Sequence, residues 1–182
     1  MEADLAALGV QAYGAMAASF APLPRGSIAR FRLWHFPPAG PHVSWAVFEA
    51  DPVTPDAGRS LARRVSWDRD RDLEALAVGP RRRPRREPTL SIMETELDTD
   101  RLRSFRVEAS RLWLPMRLLG APYVSDRRAE FGIEGFEDDA RDGRPRVRME
   151  WGRKIPVAIE GIGHWADRVR AWLLSVPGLR EA

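Results

Sequence analysis

The segment GPRRRPRREP, which spans residues 79–88, holds the densest group of side chains that could bind anions. Its five arginines are Arg81, Arg82, Arg83, Arg85 and Arg86. The planar guanidinium group binds phosphate and carboxylate groups in a bidentate manner, and affinity for nucleic acid rises with the number of phosphates that are neutralised. The segment could therefore bind a nucleic acid or an acidic protein surface, or it could be a solvated loop.

Composition weakens the nucleic-acid interpretation. Lys154 is the only lysine, so arginine supplies nearly all the basic side chains of this chain. The formal net charge is only +3. The acidic stretch DRDRD at residues 68–72 lies upstream of the arginines and can neutralise them locally. Neither a groove-reading helix nor an aromatic stacking residue accompanies the segment. A solvated connector is the simplest interpretation, an acidic protein partner comes next, and nucleic acid is less favoured.

A second charged cluster is acidic, and we predict that it forms the tip of a β-hairpin. Its acids are Glu137, Asp138, Asp139 and Asp142. A calcium loop of the EF-hand type needs ligands at alternating positions, a central glycine and a terminal glutamate, and this order is missing. The cluster is therefore interpreted as a solvated turn or as a contact for a basic partner, and no metal is predicted.

The three histidines lack the spacing of a metal-binding or hydrolytic motif such as H-E-x-x-H. His35 and His42 flank the PPAGP turn and could form a two-histidine site with Glu49 or Asp51. His164 is expected at the start of the last helix. The histidines are otherwise interpreted as turn and strand-end residues, because no second ligand motif supports them.

Other catalytic patterns are weak or missing. Glu94 and Glu96 fall on one face of a predicted strand, and two acids can serve as acid and base when they lie across a cleft. Cysteine is absent, which removes thiolate nucleophiles, disulfides and cysteine-ligated metals. The sequence contains no G-x-S-x-G, G-x-x-x-x-G-K-[ST] or G-x-G-x-x-G motif. No catalytic residue and no cofactor is therefore predicted, and an enzyme is the third alternative.

Periodicity and chain breakers predict the elements that carry these residues. Predicted helices cover residues 3–20, a short stretch after Asp68, and a stretch from Asp98 or Thr99 to Pro115. In the last helix, a shared face contains Trp165, Val169, Trp172 and Leu173. Predicted strands cover residues 27–36, 43–50, 59–68, 89–97, 131–136 and 146–151. The short loops favour antiparallel pairing, so we expect an α+β fold with a single, largely antiparallel sheet of about six strands and helices packed mainly on one face.

The length of 182 residues and the hydrophobic content of 44% fit one domain with a substantial core. Residues 1–24 are predicted as an N-terminal helix and residues 25–182 as a single α+β domain. No apolar run approaches the length of about 18 residues that is typical of a membrane span. The acidic start MEADLAALGV lacks the basic region of a signal peptide. A cytoplasmic location without a membrane partner is expected.

The C-terminal half combines FGIEGFE, a polar turn, the strand RVRMEWG and a tryptophan-rich last helix. With VSWAVFEA and RRVSWDRD ahead of it, this order resembles small uncharacterised bacterial immunity-like proteins, which carry a G-[LIV]-[DE]-G hairpin and a strand that ends in Trp. The resemblance covers about residues 30–177 and carries over no catalytic residue. It implies a non-enzymatic protein-binding protein, an immunity-type inhibitor or adaptor, whose partner is a toxin or the product of a neighbouring gene. We expect the five arginines and the four acids to meet that partner.

Overall fold

The computed structural model describes residues 2–20, 24–51, 59–77, 87–112, 123–124, 130–135 and 147–179. Its helices are α1 (Glu2–Ala17), α2 (Arg69–Ala77), α3 (Thr99–Ser110) and α4 (Glu160–Ser175), with 3₁₀ turns at Ala18–Phe20 and Val157–Ile159. Its strands are β1 (Ser27–His35), β2 (His42–Ala50), β3 (Leu61–Trp67), β4 (Leu90–Glu96), β5 (Tyr123–Val124), β6 (Phe131–Gly135) and β7 (Val147–Trp151). Every helix and strand that the sequence predicts has a counterpart here.

The strands form one sheet in the order β4-β3-β2-β1-β6-β7-β5. Each of the strands β1 to β4 pairs antiparallel with the next. The short predicted loops indicate this for β1 to β3, whereas the connection from β3 to β4 contains α2. The chain then crosses to the other side of β1, where β6 pairs antiparallel with β1 and β7 pairs antiparallel with β6. The two-residue β5, which was not predicted, joins parallel to β7. The predicted α+β class with a largely antiparallel sheet is confirmed.

Helices α3 and α4 cover one face of the sheet. The carboxylate of Asp98 caps α3 by accepting from the backbone amides of Asp100 and Arg101, so of the two predicted starts of this helix, Asp98 is the capping residue. The indole N–H of Trp165 in α4 donates to the carbonyl of Phe105 in α3 at 3.0 Å. The buried core on this face includes, from the two helices, Leu102, Phe105, Ile162, Trp165, Val169 and Leu173, and from β1 and β2, Phe31, Leu33, Val43, Trp45 and Val47. This packing holds the two helices in a fixed position on the sheet.

Helix α1 lies on the opposite face of the sheet, whereas the sequence led us to expect helices mainly on one face. Its residues Leu8, Ala12 and Met16 pack with Val65 and Trp67 of β3. Two buried arginines of the sheet bond to the chain at the C-terminal end of α1. Arg32 donates to the carbonyl of Met16, and Arg63 donates to that of Ser19. Because helices cover both faces, nearly every residue of β2 and β3 is buried.

Candidate functional site

Strand β4 forms one edge of the sheet, and its register shows which backbone groups face outward. The amide of Leu97 donates to the carbonyl of Ser60 at 2.7 Å, and that of Asp68 donates to the carbonyl of Thr89 at 3.0 Å. Hydrogen-bonded and non-hydrogen-bonded pairs alternate along an antiparallel ladder. In the uninterrupted register of β3 and β4, the odd-numbered residues of β4 therefore bond to β3. The even-numbered residues, including Ile92 and Glu94, direct their N–H and C=O groups away from the sheet.

The side chains of β4 leave this edge accessible. Ile92 is 64% exposed, although it is a large apolar residue in the middle of a strand. Glu94 lies 2.5 Å from the guanidinium group of Arg63, and Glu96 lies 3.0 Å from that of Arg59. The two glutamates that could have formed an acid and base pair thus each form an ion pair with an arginine. Arg63 lies in β3, and Arg59 lies two residues before that strand. They do not face each other across a cleft.

The predicted partner-binding residues lie outside the described residues. These are Arg81, Arg82, Arg83, Arg85 and Arg86, together with Glu137, Asp138, Asp139 and Asp142. The structure does describe the chain up to Ala77 and again from Glu87, on either side of the five arginines. The carboxylate of Asp72 in α2 accepts from the backbone amide of Thr89 at 2.8 Å, and Thr89 directly precedes β4. Helix α2, which precedes the arginine-rich segment in the chain, is therefore bonded to the residue that precedes the edge strand.

The structure does not bring His35 and His42 together. His35 is the cross-strand partner of Val43, so these two side chains share a face, and the adjacent His42 lies on the other face because strand side chains alternate. His35 stacks on Phe131 with ring centroids 4.4 Å apart. Among the described residues, no group of three His, Cys, Asp or Glu side chains could hold a metal ion.

His42 instead fastens α1 to the sheet. Its Nε2 lies 2.9 Å from the carbonyl oxygen of Pro37, which can only accept, so this nitrogen carries the proton. Its Nδ1 then accepts from the hydroxyl group of Tyr13 in α1 at 3.0 Å. Burial lowers the pKa of His42 below its usual value, against the opposing effect of the Pro37 carbonyl. Burial likewise lowers the pKa of His35, and Arg170 lowers it further.

These lowered pKa values predict that acid destabilises the fold. Below the ordinary histidine pKa of 6.5, the unfolded chain binds protons that the folded chain does not, so the free energy of unfolding falls as pH falls. Above that pH both states are neutral at these groups and stability is flat. Because both rings are partly solvated, we expect a loss of about 1 kcal/mol or less between neutral pH and pH 5.5. Urea titrations at several pH values measure it.

Replacing His42 with glutamine removes one of the two titrating groups and should reduce the slope of stability against pH. The exposed His164, which lies near the start of α4, one turn after Glu160 and 3.5 Å from it, is the control position. A wild-type free energy of unfolding that stays constant from pH 7.5 to 5.5 would contradict the assignment.

A cleft of about 240 Å³ opens between α3, α4 and strands β1, β6 and β7. Its walls include the apolar side chains Phe31, Ile133, Val147, Met149, Ile162 and Trp165. Two arginines, Arg30 and Arg106, form its polar part. Small-molecule sites have this composition, since most of their lining is apolar and a few polar groups orient the ligand.

The two arginines of the cleft meet at one buried carboxylate. Glu49 is 7% exposed, and its Oε2 accepts from Arg30 Nε at 2.6 Å and from Arg106 Nη1 at 2.5 Å. This role replaces the metal-binding role considered for Glu49. The cluster was not predicted from the sequence, although strand alternation in β2 puts Glu49 on the same face as Val43, Trp45 and Val47. A carboxylate on an apolar face requires a cation partner, and this was the available signal.

Comparison of the chain with protein-family models, curated proteins and solved structures finds no match. The resemblance to immunity-like proteins therefore stays a prediction. Within the ranges that the structure describes, no helix combines the length and the apolar character needed to cross a membrane. The function must be inferred from the geometry of the edge strand and of the cleft.

Proposed function

We propose that this chain is a non-enzymatic protein-binding protein, an immunity-type inhibitor or adaptor, that binds an extended segment of its partner along β4. The observation that supports this most directly is the edge of β4, where alternate residues direct backbone N–H and C=O groups outward and no strand of the described residues pairs with them. Such an edge is a template for an added strand, and strand addition is a common mode of peptide recognition. Backbone hydrogen bonds supply affinity in this mode, and neighbouring side chains supply specificity.

The side chains of β4 are compatible with an added strand. Charged residues commonly protect sheet edges from unwanted pairing. Here Glu94 and Glu96 form ion pairs with arginines of the same sheet, so their charges are partly compensated. Ile92 lies near the middle of β4, and most of its side-chain surface is exposed. It would form a cross-strand pair with an apolar residue of the partner.

The arginine-rich segment supports an acidic partner. Only Glu87, Pro88 and Thr89 separate the last of its arginines, Arg86, from the start of β4. The positive charge is therefore close in sequence to the first outward-facing amide of the strand. Charge complementarity next to an interface raises the association rate and excludes like-charged partners. The partner proposed is therefore a protein that offers an extended segment with acidic residues near one end.

Substituting Ile92 with proline tests this mode of binding. Proline lacks the outward N–H of residue 92 and its ring projects toward an added strand, while the bonds between β3 and β4 use the odd-numbered residues and stay intact. We expect the dissociation constant for the partner to rise by about tenfold or more, since at least one hydrogen bond is lost and a clash is added. Calorimetric titration with the protein encoded by the neighbouring gene provides the measurement.

The matched control is Ile92→Thr, which keeps the N–H and the β-branched shape. It should bind within about threefold of the wild type, because only apolar side-chain contact is reduced. Urea denaturation of both variants checks that the sheet is unchanged. Equal affinity of the proline variant and the wild type would exclude strand addition at β4, and absence of wild-type binding at micromolar concentration would exclude this partner.

A further inference from the structure

The cleft between α3, α4 and the β1-β6-β7 part of the sheet lies away from the β4 edge, so the proposed binding of a protein does not use it. Its walls come from five elements that are packed in one core. Trp165 is fixed by its bond to the Phe105 carbonyl and by edge contact with Phe31 at 5.4 Å between ring centroids. A cleft with walls of this kind is formed before a ligand arrives, which reduces the ordering cost of binding.

We propose that this cleft binds a small carboxylate with an apolar body, such as a medium-chain fatty acid. The apolar part of the ligand would lie against Ile133, Met149 and Ile162. The indole N–H of Trp165 is already bonded, so this wall favours methylene groups over polar ones. The cleft volume of about 240 Å³ lies below the range of about 300 to 1,000 Å³ that is usual for small-molecule pockets. This fits a short chain rather than a drug-sized molecule.

The carboxylate end of the ligand follows from the polar part of the cleft. Arg30 and Arg106 already hold one carboxylate between them, that of Glu49. Each guanidinium group carries five N–H donors in a fork that matches a carboxylate. A ligand carboxylate would bind there by sharing or replacing the intramolecular contacts of these arginines. The arrangement gives a carboxylate an advantage over an alcohol of equal chain length.

Titration of the full chain with octanoate tests the proposal. For about ten heavy atoms, typical ligand efficiencies place the dissociation constant between about 10 µM and 1 mM. Octanol should bind at least about tenfold more weakly, because it cannot form charge-assisted hydrogen bonds. Calorimetry and tryptophan fluorescence measure the two ligands, and Trp165→Phe should remove the fluorescence change. No octanoate binding at about 2 mM, or equal binding of octanol, would overturn the proposal.

Variants on α3 locate the site. Ala109→Leu adds volume in the cleft and should abolish octanoate binding without removing any charge. Arg106→Gln should weaken binding about tenfold, whereas Arg103→Gln on the same helix, which breaks only an exposed pair with Asp100, should leave it unchanged. Octanoate affinity that is the same in Ala109→Leu and the wild type would overturn the assignment. The variant Ile92→Pro should bind octanoate normally, so failure of one proposal is distinguishable from failure of the other.

Discussion

Replacing Gly132 with alanine is expected to lower the free energy of unfolding by about 3 kcal/mol. Gly132 on β6 is the cross-strand partner of Trp34 on β1, and the indole ring lies across the glycine. A Cβ atom at residue 132 would lie 2.0 Å from Cζ2 and 2.2 Å from Cε2 of that ring. The ring cannot easily move, because it is buried and the guanidinium groups of Arg32 and Arg148 lie 5.0 and 5.4 Å from its centre.

Gly135→Ala is the matched control on the same strand. Among the described residues, its added Cβ would meet Val147 Cβ alone, at 4.0 Å, which is an ordinary van der Waals contact. Because alanine restricts the unfolded chain more than glycine does, this variant should be neutral or slightly stabilising. Urea denaturation measures both variants. Combining Gly132→Ala with Trp34→Ala should cost less than the sum of the single changes, and equal stability of the two glycine variants would contradict the proposed clash.

Local sequence patterns were sufficient to predict the meander of β1 to β3. Breakers such as PPAGP separate runs of strand length, and short connections between consecutive strands allow only antiparallel pairing. The face of β1 was ambiguous, since apolar residues occur at both odd and even positions. The structure explains this: helices cover both faces of the sheet, and the register shifts between Ala29 and Phe31. Alternation cannot reveal the buried face of a strand that is buried on both faces.

Contacts between distant parts of the chain were beyond the reach of these patterns. The pairing of β6 with β1 joins segments about 100 residues apart, as in the pair Leu33 and Ile133, and no local period encodes such a choice. The cleft depends on the same kind of contact. Its charged cluster joins Arg30 and Glu49, which are 19 residues apart, to Arg106, which is 57 residues from Glu49. Each residue alone is an ordinary charged position, and the cluster exists only after the sheet and α3 have assembled.

Asp72 shows a similar difference between a local and a tertiary role. From the sequence it is one of the acids in DRDRD, with a favourable charge near the start of a helix. In the structure its side chain is fully buried. Its carboxylate accepts from Trp67 Nε1 at 2.7 Å, and from the amide and hydroxyl groups of Thr89 at 2.8 and 2.5 Å. Asp72 thereby joins the end of β3, helix α2 and the start of β4.

We therefore expect Asp72→Ala to reduce the free energy of unfolding by about 3 kcal/mol, because one buried and two partly buried donors lose their carboxylate. Asp72→Asn should cost less, since an amide oxygen still accepts from part of this set. Glu74→Ala, on the same helix but exposed, is the control and should change stability by less than about 0.5 kcal/mol. Urea denaturation monitored by tryptophan fluorescence measures all three variants. If Asp72→Ala were as stable as Glu74→Ala, the carboxylate of Asp72 would not hold the edge strand, and the position of β4 would have to depend on its pairing with β3 and on the packing of Leu90 and Met93.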